Sequence, residues 1–385
     1  MQTSLNRPLK IVHVASHNVV RAGGSIQMMR LALGLKERGH DVWCAFNIRK
    51  GDSPPGLGTF EPLQEADIKV FSFPMQRIRK YRGMLAFRKF LSSHNFDIVH
   101  THRFRALNFV CNATRGMKTP VILGNKKNSF SIPPSWARVY ASSKVDSIVV
   151  NADCITDLFV KTGRVDPAKV VNIYNGVDLN AFSPDIDGST VRESLGIAPD
   201  VPLFGMVANF ARKKSHDIFF EAALQALKEM PRAMFLLVGD GDYERYRPGL
   251  SRSGFGDHFL FTGFRTDIPR ILAALDFSVI SSKEGEGLTG SLVESMVMAK
   301  PVISTDVAGN ADVVKNKDTG MLVPAGRADM MAEAMVYFLR NPREAAEMGR
   351  RARSFVKDKV DNTKRTLRFE QLYTELLQKK GGAAQ

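Results

Sequence analysis

Cysteine is scarce in this chain. Cys44, Cys111 and Cys154 are the three among 385 residues, an odd count at spacings that fit neither a disulfide framework nor a metal site. A reducing, cytoplasmic setting is therefore expected. Long apolar runs are missing too: no stretch approaches the roughly 20 residues that a membrane span needs. The segment ahead of Ile11-Val12-His13-Val14-Ala15 carries no signal-peptide pattern. Low hydrophobicity, which keeps a chain unfolded, is also absent, since 44% of the residues are hydrophobic. Acidic residues are in deficit. Asp and Glu number 39 against 54 Lys and Arg, a formal charge of +15. Residues 1–185 hold 26 basic and 13 acidic side chains, and the remainder 28 and 26, so the excess lies in the first half. An acidic partner is expected there: nucleic acid, anionic lipid or a phosphorylated acceptor.

What the chain does have is alternation. Short apolar, β-branched runs alternate with amphipathic stretches, which argues βαβ units and parallel sheets. Nine strands are expected, at residues 10–15, 41–46, 97–100, 121–123, 146–150, 204–207, 235–238, 277–280 and 301–304. After the first comes a helix with Ile26, Met29 and Leu33 on one face and Gly39 as its C-cap. Residues 343–378 read as one helix, followed by a Lys-Lys-Gly-Gly tail. The length suits two domains. The turn-rich run Phe182-Ser183-Pro184-Asp185-Ile186-Asp187-Gly188-Ser189 separates them. The expected organisation is α/β, with two Rossmann-like doubly wound domains facing a central cleft: residues 1–184, residues 185–360, and a helix over 361–385 packing back on the first. Ligands of such sheets bind beyond the carboxyl ends of the strands, so the loops there should carry the chemistry.

The strongest chemical signal is Glu286-Gly287-Leu288-Thr289-Gly290-Ser291-Leu292-Val293-Glu294, followed by Lys300-Pro301-Val302-Ile303. In one continuous helix the two carboxylates would stand about 80° apart and roughly 12 Å along the axis, too far to converge. Gly285, Gly287 and Gly290 break the start instead. Glu286 is then expected in the loop after a strand and Glu294 in the early turns of the next helix. Glycines there let backbone approach a diphosphate, whose charge a helix N-terminus favours by roughly 0.3–1 kcal/mol. The two carboxylates can accept hydrogen bonds from sugar and ribose hydroxyls, each worth roughly 1.5–3 kcal/mol. Taken in isolation, the same residues can solvate a loop and cap a helix.

With these residues the chain resembles the family-4 retaining glycosyltransferases of the GT-B fold, whose E-x7-E motif matches Glu286 and Glu294. Gly23-Gly24-Ser25 resembles the family's first-loop Gly-Gly. Asp97-Ile98-Val99-His100-Thr101-His102 resembles its D-[IV]-[IV]-H-x-H strand end. Asn175-Gly176-Val177-Asp178 with Phe182 and Pro184 resembles its interdomain signature, and Val238-Gly239-Asp240-Gly241 its V-G-x-G turn. Gly263-Phe264-Arg265 and Thr319-Gly320-Met321-Leu322-Val323-Pro324 match later segments. The resemblance implies transfer of a sugar from a nucleoside-diphosphate sugar to a hydroxyl of a glycan or lipid-linked acceptor, as in lipopolysaccharide or polysaccharide synthesis, with retention by same-face substitution. It makes Glu286 and His102 catalytic, and His100 alone reads as a satisfied core histidine. Donor-binding positions are Gly23, Gly24, Gly239, Phe264, Arg265, Gly287, Leu288, Thr289 and Glu294.

The diphosphate clamp departs from the family. Aligned on Lys214, the usual Arg is Asn209 and the usual Gly is Ser215, which leaves Arg212 and Lys214 as the cations beside Asn209. Asp240-Gly241-Asp242 spells D-x-D, but it falls where the family has a turn, so neither metal nor cofactor is expected. Arg77, Arg79, Lys80 and Arg82 form a basic tip on a helix with Met84, Phe87 and Leu91 as its core face. Together with Arg103, Arg105, Lys126 and Lys127 they are expected on the acceptor side, against an anionic membrane surface. The expected localisation is cytoplasmic and peripheral on the inner face of the cytoplasmic membrane. Two alternatives stay open: another nucleotide-sugar enzyme of the same fold, such as an epimerase or a phosphorylase, and a basic nucleic-acid binder. Against the second, no aromatics interleave with the basic run, and no nucleic-acid partner is expected.

Overall fold

The computed structural model of the chain describes residues 7–18, 20, 23–48 and 60–382. It divides into two compact units, Met1–Gly176 with Asn362–Gln385, and Val177–Asp361. The crossing between units falls before the expected connector at 182–189, and a pair of hydrogen bonds explains why. The Gln27 side chain donates to the Gly176 carbonyl at 2.9 Å and accepts from its N–H at 2.8 Å, holding that residue in the first unit. The next N–H, of Val177, turns to the Val360 carbonyl at 2.6 Å.

The first unit holds a seven-stranded sheet of β1 (Lys10–Ala15), β2 (Asp41–Asn47), β3 (Lys69–Phe73), β4 (Ile98–His102), β5 (Val121–Asn125), β6 (Ser147–Val150) and β7 (Val170–Asn172). Their order is β3-β2-β1-β4-β5-β6-β7, and all pairs are parallel. Both faces are covered, so the strands read as near-continuous apolar runs. Val12, Val14, Val99 and Ile122 pack on one side with Phe87, Leu107 and Phe159. Ile11, Ala15, Ile98 and Leu123 pack on the other with Met28, Leu31, Phe369 and Tyr373.

The second unit repeats the plan with β8 (Leu203–Val207), β9 (Met234–Val238), β10 (Phe259–Gly263), β11 (Phe277–Ile280), β12 (Val302–Thr305) and β13 (Met321–Val323), in the order β10-β9-β8-β11-β12-β13. In each sheet the strand order reverses once, between β1 and β4 and between β8 and β11. Those switch points are where ligands of open α/β sheets bind.

All nine expected strands are present, with ends shifted by a residue or two. Four more were not expected: β3, β7, β10 and β13. All four are sheet edges. These edges are half-buried over most of their length, unlike the central strands, which are buried on both faces. The first helix, Gly23–Glu37, buries Met28, Leu31 and Leu35 and leaves Ile26, Met29 and Leu33 at the margin of the core. Gly34 decides this rotation. A Cβ there would meet Thr366 Oγ1 at 2.6 Å, where the chain's last helix crosses. That last segment is two helices, Pro342–Val360 and Asn362–Gly382, interrupted at Asp361 as the chain passes back to the first unit.

Candidate functional site

At the β8–β11 switch point of the second unit, two loops are stitched together. The loop after β8 forms a single turn at Arg212–Lys214 and then enters the helix His216–Leu227. The loop after β11 runs to the helix Gly290–Val297. Ser281 Oγ donates to the Lys214 carbonyl at 2.8 Å, and the Lys283 N–H donates to the Lys213 carbonyl at 2.9 Å. This places Glu286 between two ammonium groups: its Oε1 lies 3.1 Å from Lys213 Nζ and 3.1 Å from Lys214 Nζ. Glu286 is only 7% exposed. Burial lowers the Lys214 pKa, partly opposed by Glu286, and Lys213 lowers it further. Lys213 was not among the expected cations. Its neighbour Arg212 is exposed.

Glu294 stands in the second turn of Gly290–Val297, half-buried, and Thr289 precedes the helix with its N–H on Asn310 Oδ1 at 3.3 Å. Leu288 and Thr289 are buried. Lys300 is a brace within the unit, its Nζ donating to the carbonyls of Ala273 and Leu275 at 2.8 and 2.7 Å. Asn209 Oδ1 accepts from the Asp240 N–H at 3.1 Å, bracing the turn after β9. A Cβ on Gly239 would come within 2.1 Å of the Ala208 carbonyl oxygen, so that turn requires glycine for packing alone. Asp240 Oδ1 accepts from the Gly241 N–H at 2.9 Å, and no third carboxylate converges on the D-x-D pair among the described residues. Phe264 is exposed, while Arg265 forks onto Asp267 at 2.8 and 2.6 Å.

At the β1–β4 switch point of the first unit, His13, His100 and His102 project to one face with Asn125 of β5. One hydrogen-bond chain links them. Tyr373 Oη meets His100 Nδ1 at 2.7 Å; His100 Nε2 meets Asn125 Oδ1 at 2.9 Å; Asn125 Nδ2 meets His102 Nδ1 at 3.0 Å; His102 Nε2 meets His13 Nδ1 at 3.1 Å. With the amide so oriented, every tautomer follows: each imidazole accepts on Nδ1 and carries its proton on Nε2. Burial holds the imidazoles neutral, pushing His100 down to about 3 and His13 and His102 well below their usual value. His100 is thus fully paired in the core. His17, just beyond β1, has two buried ring nitrogens without a hydrogen-bond partner, and burial lowers it to about 3.

Gly23 and Gly24 open the first helix. Among the described residues, and apart from its chain neighbours, nothing lies within 4 Å of a Cβ at Gly23, and at Gly24 the nearest atom is His17 Nε2 at 3.6 Å. Packing within the unit therefore does not demand these glycines. Arg103, next to His102, has φ 76° and ψ 152°, a region essentially reserved for glycine.

Two expected acceptor-side cations are corrected. Lys126 is buried, its three donors bound to the Asn128 carbonyl, Asn128 Oδ1 and the Phe130 carbonyl at 2.7–2.8 Å, and burial lowers it to about 8. Lys127 turns inward to Asn175 Oδ1 at 3.3 Å. Both order the loop after β5. Arg77, Arg79, Arg82, Arg103 and Arg105 are exposed, and Lys80 is half-buried.

Residues 21–181 match the family described as Glycosyltransferase Family 4, and residues 201–341 match Glycosyl transferases group 1. The chain belongs to the family-4 type glycosyltransferases of the GT-B fold. It is 26% identical over 317 residues to the Escherichia coli UDP-Gal:alpha-D-GlcNAc-diphosphoundecaprenol alpha-1,3-galactosyltransferase, covering 78% of this chain and 81% of that one. It is 27% identical over 368 residues to the Bacillus anthracis N-acetyl-alpha-D-glucosaminyl L-malate synthase, covering 92% and 94%. Among solved structures it resembles Anabaena HepE in complex with UDP-glucose, with TM-score 0.82 and 19% identity over 95% of this chain and 99% of that one.

Within a glycosyltransferase of this type the departure at Ser215 has a backbone meaning. Ser215 has φ 49° and ψ 54°, the left-handed region where glycine is unstrained, and its hydroxyl is buried without a partner. A serine therefore stands in a backbone conformation that glycine adopts without strain. Asn209, at the family's Arg position, serves the β9 turn, which leaves Lys213 and Lys214 as the cations beside Glu286.

Proposed function

We propose that this glycosyltransferase moves a hexosyl group from a nucleoside-diphosphate sugar to a hydroxyl of a lipid-linked glycan acceptor, with retention of anomeric configuration and no metal ion. One observation carries the reading: Glu286 held by Lys213 and Lys214 at the β8–β11 switch point, beside a glycine-opened helix start. The lysines supply positive charge for a leaving diphosphate, the role a divalent cation fills elsewhere. Glu286 orients the sugar and can stabilise positive charge on its ring. By the resemblance, His102 serves the sugar end of the donor. The lipid-linked acceptor is supported by the galactosyltransferase relative, whose acceptor carries diphosphoundecaprenol, and by the exposed arginines of the first unit. This fits a place in polysaccharide or lipopolysaccharide assembly, at the inner face of the cytoplasmic membrane.

Retention by double displacement needs a carboxylate below the anomeric carbon. The loops after β1 and β4 carry histidines and arginines among their described residues. That favours same-face substitution, in which the acceptor hydroxyl enters beside the departing diphosphate and gives it the proton. The test is a panel of uridine, guanosine and adenosine diphosphate-sugars, scored for nucleotide release with and without a polyprenyl-diphosphate glycan, in EDTA. An acceptor-dependent product with the donor's anomeric configuration is expected. An inverted product, or full dependence on added metal, overturns the reading.

A further inference from the structure

The charge of the first unit is concentrated more sharply than its halves suggest. Residues 68–145 carry 15 Lys or Arg and a single acid, Asp97. Asp97 precedes β4, at the amino edge of the sheet, and is paired there with Arg7 at 2.7 Å. The opposite, carboxyl edge therefore has no negative side chain from this stretch. Along that edge start three helices, Lys80–His94, Phe104–Ala113 and Pro134–Tyr140, each packed beside the next.

The first of these presents an unusual outer face. Ile78, Tyr81 and Leu85 are 82%, 60% and 70% exposed. The Tyr81 N–H bonds to the Ile78 carbonyl at 3.3 Å, so the helical turn includes Ile78 and the three side chains form one stripe. The opposite face is fixed to the core by Phe87, Phe90 and Leu91. At Gly83 a Cβ would stand 2.1 Å from the Pro74 carbonyl oxygen, so the helix sits directly on backbone and its outward stripe is set. Arg77, Arg79 and Arg82 flank the stripe, all exposed. Further along the rim Phe130 and Trp136 are exposed as well, with Trp136 stacked on Phe104 at 4.0 Å.

We propose that Ile78, Tyr81 and Leu85 insert into the interfacial layer of a bilayer bearing acidic headgroups, while Arg77, Arg79 and Arg82 bind those headgroups. Aliphatic side chains ringed by guanidinium groups match a surface that is apolar beneath and anionic above. Nucleic acid would reward the arginines but not Ile78 and Leu85, which offer no ring to stack on a base. The proposal deepens the lipid-linked acceptor reading and rests on it for its biological sense, yet its test uses neither donor nor acceptor.

The full chain is sedimented with vesicles of phosphatidylcholine alone and of phosphatidylcholine with phosphatidylglycerol, at low and high salt. Binding to the acidic vesicles is expected, weakened by salt but not abolished, because screening leaves the apolar contact intact. Ile78→Ser with Leu85→Ser should weaken that binding by about 30-fold. The thermal midpoint should not move, since both side chains are already in water. Arg79→Ala with Arg82→Ala should weaken it by about 30-fold at low salt and far less at high salt. The proposal is overturned if the Ile78/Leu85 variant binds acidic vesicles like the parent. It is equally overturned if both vesicle types bind alike, or if the chain shifts DNA in a gel and ignores vesicles.

Discussion

Replacing Glu286 by Gln separates two roles that the second unit combines in one carboxylate. The substitution keeps shape and removes a charge lying 3.1 Å from each of two lysine nitrogens. At an effective dielectric of ~20, each contact is worth about 5 kcal/mol gross, before desolvation is subtracted. The Lys213 side chain is 38% exposed, so solvent screens its share to about 1 kcal/mol or less. Lys214, 16% exposed, is left more nearly as an unpaired enclosed cation, a loss of about 2–3 kcal/mol. The sum, about 3 kcal/mol in a unit of this size, corresponds to a fall in Tm of about 6–12 °C.

Turnover should fall further than stability does, by about 10²–10³-fold, if Glu286 stabilises charge that develops in the transition state. The informative arm is the nucleoside diphosphate. If the diphosphate lies on these lysines as proposed, its phosphates compete with Glu286 in the parent and replace the lost counter-charge in the variant. Adding the diphosphate should therefore raise the variant's Tm by more than the parent's, measured by differential scanning fluorimetry at equal ligand concentration. Near-parental turnover removes Glu286 from catalysis. A destabilised variant rescued no better than the parent would mean that the diphosphate does not lie on Lys213 and Lys214.

Ser215→Gly should stabilise the chain by about 1 kcal/mol, because it relieves a left-handed φ and deletes a buried hydroxyl without a partner; urea unfolding measures it. Gly24→Ala, at a helix start with room for the Cβ, should leave stability unchanged or raised by up to about 1 kcal/mol, while raising KM for a substrate phosphate that approaches the backbone there. Stability should also fall with acid. Buried His17 and His100 are held at about 3 and His216 at about 4, so between pH ~6.5 and these values the unfolded chain binds protons that the folded chain refuses. Each imidazole then contributes a loss of about 1.4 kcal/mol per pH unit as pH drops below ~6.5, a slope that urea midpoints at stepped pH would read. A flat profile from pH 7 to 5 would contradict the burial of these rings.

The central strands were legible because a strand buried on both faces leaves an apolar run of β-branched residues, as in Ile11-Val12-His13-Val14 or Phe277-Ser278-Val279-Ile280. The four edges were not, since Val170-Val171-Asn172 and Met321-Leu322-Val323 are three residues each and half-buried for the most part. Apolar spacing in the first helix supported two faces, and only a contact 332 residues away, Gly34 on Thr366, decides between them. Glu286 and Glu294 were placed correctly in loop and helix because three glycines mark the break. Sequence order does not say which of the adjacent cations Arg212, Lys213 and Lys214 turn inward; Lys213 and Lys214 face Glu286 and Arg212 faces solvent. Lys126 and Lys127 misled for the reverse reason: a basic dipeptide reads as surface, and its pairing with Asn128 and Asn175 exists only once the loop is folded.

The two switch points differ in charge. At β8–β11 two lysines share one carboxylate, an arrangement that an incoming anion can re-pair without building new groups. At β1–β4 the side chains are neutral rings locked in one tautomeric order by Asn125 and Tyr373. A group acts as a general acid or base near neutrality only if its pKa is near the working pH, and burial removes His13, His100 and His102 from that range. With Nδ1 on Asn125 and Nε2 on His13, His102 offers shape and a fixed orientation, not a proton sink. In the proposed same-face substitution the acceptor's proton goes to the departing diphosphate, and these neutral rings are not asked to take it. Replacing Asn125 with Ala tests the point. It should free the His102 tautomer and lower kcat; the parent's kcat should show no imidazole titration between pH 6 and 8, and a titration there that shifts in the variant would identify an imidazole as the base.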